Sequence, residues 1–176
     1  MFRLVDGKVN VSVPGFGSVE GTWEPDERER DAAWELYVEL VTRISVAELT
    51  ASEGSLREAL TSLYSLFETT REILRKYGPA VGRPSRGSDV SFGSIAVTVL
   101  NYVLRPVLAK WHTLLLDYES GRGAANSPII YESEWSKASE LRQVLNGVRL
   151  QLIEYSVLLA EVARVSPLFT HAPQGA

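Results

Sequence analysis

Cysteine is absent from this chain of 176 residues, and histidine occurs twice, at His112 and His171. Without a thiol the chain has no disulfide, no thiolate metal site and no cysteine nucleophile. A reducing cytoplasmic setting is the natural expectation for such a composition. Two histidines also give little for a metal to bind. The Glu-x-x-His pairs of carboxylate-bridged bundle sites are missing, so no metal or other cofactor is expected. No nucleophile elbow or spaced partner nominates a serine for His112, so no catalytic residue is assigned and the chain reads as non-enzymatic. The glycine-rich stretch Gly82-Arg-Pro-Ser-Arg-Gly87 lacks the Gly-Lys-Ser/Thr ending of a phosphate loop and follows a helix. Arg83 and Arg86 in it are secondary candidates for touching an anionic partner, against a solvated loop as the alternative. The N-terminus lacks the apolar run and small-residue cleavage site of a signal peptide.

Basic residues are outnumbered, 18 Lys and Arg against 22 Asp and Glu, for a net charge of −4. Nucleic acid is thus an unfavoured partner. The longest apolar stretch, 95–116, is interrupted by Asn101, Arg105, Pro106, Lys110 and His112. A charge at the centre of a membrane span costs about 2.5–3.5 kcal/mol on insertion scales. The stretch therefore reads as a core helix, with no membrane insertion expected.

What is present is helical periodicity. Residues 1–23 alternate, with Asp6-Gly7 as a hairpin turn and Pro14-Gly15-Phe16-Gly17 as a second, giving a small β-hairpin or three-stranded meander. Helices are expected over 26–46, 55–77, 91–120 and 131–164, the third with Ser91 as its N-cap and a kink at Pro106. Residues 78–90 have the composition of a mobile connector. The chain is expected to form one domain over 1–165 with a flexible tail at 166–176. Its fold class is mainly α: an up-down-up-down four-helix bundle carrying the N-terminal β element.

The first helix places Trp34, Tyr37, Val38, Val41 and Ile44 at three- and four-residue spacings, and Trp34, Trp111 and Trp135 are expected in the core. A surplus of apolar positions nonetheless lies off the main stripes, at Trp34, Val38, Leu150 and Val157. A helix apolar on more than one face is central or covered by another chain, so a homo-oligomer or a protein partner is expected.

The third helix holds the main polar constellation. At 100° per residue Ser94, Thr98, Asn101, Arg105 and His112 share one flank of the apolar seam, and Lys110 lies on the other. Asn101, Arg105 and His112 are candidate ligands for an anionic small molecule such as a nucleotide, because a guanidinium donates in parallel to carboxylate or phosphate. The competing reading pairs Arg105 with Glu35, Glu39 or Glu154 and lets His112 cap a carbonyl.

Leu104-Arg-Pro-x-Leu-x-Lys-Trp-His112 resembles a motif of an uncharacterised bacterial helical-bundle family, as do residues 33–43 and 57–67. The resemblance covers about half the chain. It implies a bacterial accessory protein of the kind found in defence or conflict loci, and it adds Lys110 and Trp111 as secondary candidates beside Arg105 and His112. From the residues, two functions stay open: a protein-protein interaction or oligomerisation module, and a sensor for an anion in an interhelical cleft.

Overall fold

The computed structural model describes residues 2–5, 8–13, 17–43, 46, 54–124 and 126–168, and the chain is mainly helical with a small N-terminal sheet. Strands β1 (Phe2–Val5), β2 (Lys8–Val13) and β3 (Gly17–Thr22) form an antiparallel sheet in the order β1-β2-β3. Val5 pairs with Lys8 and Val13 with Gly17, as the alternating pattern requires. The turns expected at 6–7 and 14–16, and Ile44, lie outside the described residues.

Helix α1 (Glu27–Val41) starts at Asp26, whose carboxylate accepts from the Glu29 amide while the Glu29 side chain accepts from the Asp26 amide. This capping box satisfies two donors that the first turn leaves free. Its buried face is Ala32, Ala33, Leu36, Tyr37 and Leu40. Trp34 is 39% exposed, which corrects its expected place in the core. It sits 100° from Ala33 on the wheel, just outside the buried arc. Helix α2 (Leu56–Tyr77) is capped by Ser55 and ends at Gly78, whose positive φ of 68° suits a residue without a Cβ. The two helices run antiparallel, with Arg43 on Ser65 and Thr69 at one end and Glu35 on Tyr77 at the other.

The connector 78–90 is held rather than loose. Val81 is buried and its carbonyl accepts from Gly93, Ser88 Oγ accepts from the Glu24 amide, and Asp89 accepts from both the amide and hydroxyl of Thr22. Those two Thr22 donors keep the Asp89 carboxyl below its ordinary pKa.

The third long helix is continuous from Phe92 to Ser120 but not uniform. Ser91 and Ser94 form its capping box, α3 spans Phe92–Thr98, a π segment spans Val99–Leu104, and α4 spans Arg105–Ser120. The expected kink at Pro106 takes the form of this wider turn. A proline ring collides with the carbonyl four residues back in an α-helix, and the i→i+5 pattern relieves that crowding. The helix is long and apolar enough to cross a membrane by length and composition, and half of its most apolar stretch is buried inside the protein.

The fourth predicted helix is two. Helix α5 (Pro128–Ser133) is separated from α6 (Ala138–Ala163) by a turn at 134–137. The turn seats Trp135 in the core and lets Glu132 reach the start of α2, where its carboxylate accepts from the Leu56 amide at 2.9 Å. Helix α6 packs along α1 and against β1. Beyond it, the Leu168 amide donates to the Tyr37 hydroxyl.

Candidate functional site

Helices α2 and α4 cross antiparallel, and side chains along the seam fix their register. Arg57 pairs with Glu119 at 2.6 Å, the Tyr64 and His112 rings lie 5.9 Å apart, and the Arg105 guanidinium carbon lies 5.4 Å from the Phe67 ring centroid. Between the helices runs an open groove of about 340 Å³. Its walls are Tyr64, Phe67 and Arg71 from α2 and Arg105, Ala109 and His112 from α4, with Leu108 and Thr113 completing it.

Arg71 approaches the same ring as Arg105, with its guanidinium carbon 5.6 Å from the Phe67 centroid. Neither arginine makes an ion pair among the described residues. Asn101 Oδ1 accepts from Nε and Nη2 of Arg105 at 3.0 and 2.9 Å, so Asn101 orients the guanidinium instead of facing the groove. At the other end Arg57 Nη1 lies 3.4 Å from His112 Nε2. A guanidinium only donates, so in this contact Nε2 has only the acceptor role open to it.

The expected polar flank is split by the π segment. Each i→i+5 turn adds a residue relative to α geometry, which rotates everything below it by about 100°. Ser94, Thr98 and Asn101 line a separate groove beside Leu74, Gly93 and Tyr102, whereas Arg105 and His112 belong to the α2–α4 groove.

The pairing of Arg105 with Glu35 or Glu39 does not occur. Glu35 accepts from Lys76 and from the Tyr77 hydroxyl, which hold its carboxyl below the ordinary pKa despite partial burial, and Glu39 pairs with Arg43. Lys110 meets Glu140 at 3.3 Å and lies 4.4 Å from the ring of Trp111, itself buried. Both stand away from the groove. Arg83 and Arg86 are exposed in the connector and make no ion pair among the described residues.

No protein-family model, no curated protein and no solved structure matches the chain. The chemistry of the groove is thus the guide to what it holds. Among the described residues there is no group of three or more His, Asp or Glu side chains placed to hold a metal ion.

Arg71, Tyr64 and Phe67 are the groove residues that sequence reasoning missed. The signal that could have found them is a shared spacing: Tyr64 and Arg71 are seven residues apart on α2, as Arg105 and His112 are on α4.

Proposed function

We propose that this chain is a non-enzymatic helical binding module, its four long helices arranged up-down-up-down, and that its ligand is an anionic small molecule held in the α2–α4 groove. The observation that carries the reading is the pair Arg71 and Arg105. Two cations stand at one aromatic ring, and among the described residues no carboxylate lines the groove they share. Like charges lining one groove repel, and an anion bound by both turns the repulsion into attraction. With Nε and Nη2 of Arg105 engaged by Asn101, the fork is oriented and Nη1 is left for the ligand.

The test is thermal unfolding with pyrophosphate, against chloride at matched ionic strength. Ligand at a hundredfold excess over its dissociation constant stabilises by about 2.7 kcal/mol. The shift is expected to vanish in Arg71→Ala and Arg105→Ala while circular dichroism stays helical, since both side chains are exposed. Unfolding that pyrophosphate leaves unchanged would overturn the reading.

A second reading, self-association, is favoured by the exposed apolar side chains Leu150 and Val157, seven residues apart on one face of α6, and by Trp34 on α1. It predicts a dimer or larger species in light scattering, weakened by Leu150→Glu. A strict monomer across a wide concentration range would sink it.

A further inference from the structure

We infer that the α2–α4 groove is built for a planar ring joined to a phosphate, the chemistry of a nucleotide, with the ring at Tyr64 and His112 and the phosphate at Arg71 and Arg105. This rests on the anion-binding reading above and adds to it the identity of the ligand's other half.

The spacings on the two helices match. Seven residues make about two helical turns and return to nearly the same face, a rise of about 10 Å. Tyr64 and Arg71 on α2 therefore point to one side at that separation, and so do His112 and Arg105 on α4. Because the helices are antiparallel, the two rings meet at one end and the two guanidiniums at the other. Ala109, between Arg105 and His112 on the same face, is short enough to leave the space between the ends open.

The ring end has the right surface. Tyr64 is 63% exposed, and its ring leans at 46° over the half-buried His112 ring, so an aromatic face stays open to solvent. Such faces take up flat heteroaromatic rings with little regard to their substituents. A free phosphate would use the arginines alone and leave this surface idle. The groove volume of about 340 Å³ lies within the range of small-molecule pockets. The net charge of −4 disfavours a long polyanion and leaves attraction to this patch local, which suits a single nucleotide over a nucleic-acid strand.

Isothermal titration of the full chain tests this with adenosine or uridine 5′-diphosphate, pyrophosphate and the free nucleosides. At least one diphosphate is expected to bind tenfold or more tightly than pyrophosphate, with the nucleosides far weaker. Tyr64→Leu should erase that advantage while leaving pyrophosphate binding intact, and Arg71→Ala with Arg105→Ala should abolish both. Equal affinity for pyrophosphate and both nucleotides, unchanged in Tyr64→Leu, would overturn the ring site and leave the anion site standing. Nucleosides binding as tightly as their diphosphates would overturn the phosphate end. If neither pyrophosphate nor the nucleotides bind, the anion reading fails and this inference with it.

Discussion

Glu29→Ala is expected to destabilise the protein by about 3–5 kcal/mol, the cost of leaving three hydrogen-bond donors without their acceptor. Glu29 is 0% exposed and ties three elements together. One carboxylate oxygen accepts from the Trp23 indole at 3.1 Å and from the Phe92 amide at 2.8 Å, and the other accepts from the Asp26 amide at 3.1 Å. The β3–α1 junction and the start of α3 thus hang on one side chain. Removing it strands three donors, each costing about 1–3 kcal/mol when left unsatisfied, less whatever water entering the space returns. For a chain of this length that is a melting temperature lower by about 10 °C. A loss under about 1 kcal/mol in denaturant unfolding would show that water replaces the carboxylate and would refute this account.

Glu29→Gln refines the point. The amide oxygen can keep the two donors on one side, but its NH₂ then faces the Asp26 amide, so a smaller loss is expected. Wild type and Glu29→Gln also differ with pH. Burial outweighs the three hydrogen bonds and raises the Glu29 pKa above its ordinary 4.5. A raised carboxyl favours the protonated folded state. Its contribution is complete below the unfolded value and is lost as pH rises through the folded one. Wild type should therefore lose stability relative to Glu29→Gln as pH climbs from about 4.5 upward. Glu35 and Asp89 act in the opposite direction, since their lowered values contribute above the unfolded pKa and fail as pH falls. Both are common to the two proteins, so the difference isolates Glu29.

Where the physics is local, the sequence was legible. Asp26, Ser55 and Ser91 carry short acceptors directly before apolar periodicity, and each caps a helix. Gly78-Pro79 stops α2, and the alternation of residues 2–22 gives the meander. What was hidden depends on contacts across the fold. Nothing in residues 131–138 interrupts helical spacing, because Trp135 and Ala138 are both buried as a continuous helix would have them. The break answers instead to Glu132, whose partners at Ser55, Leu56 and Arg57 are more than seventy residues away in sequence. The π segment had a local cue in Pro106, but its rotation of the polar flank had none. Arg105 and His112 were identifiable because they stand out in an apolar helix. Arg71 and Tyr64 were not, because on α2 they are ordinary surface residues until α4 lies beside them.

Trp135→Ala tests that helix break, and is expected to cost about 3–5 kcal/mol, as large-to-small changes at buried aromatics do. Trp135 meets Trp111 edge-on at 6.1 Å and 87°, and stacks on Tyr118 at 5.5 Å. Tyr118 stacks in turn on Tyr131 of α5 at 4.4 Å, and its hydroxyl donates to the Tyr131 carbonyl. The indole thereby anchors the turn that follows α5 onto α4, beside the direct contact of Tyr118 with Tyr131. A double-mutant cycle with Tyr118→Leu should give a coupling of about 0.5–1.5 kcal/mol beyond the area lost, and Trp135→Phe should retain part of it. The readout specific to the break is local. If Trp135 holds α5 in place, its loss also frees Glu132, and the amides of Leu56 and Arg57 that Glu132 accepts from should exchange hydrogen faster than the middle of α2. Unchanged protection at Leu56 beside a lowered global stability would separate the two, leaving Glu132 to hold the start of α2 without the aromatic stack. Faster exchange confined to 55–57 would make the turn at 134–137 the shared support of both contacts.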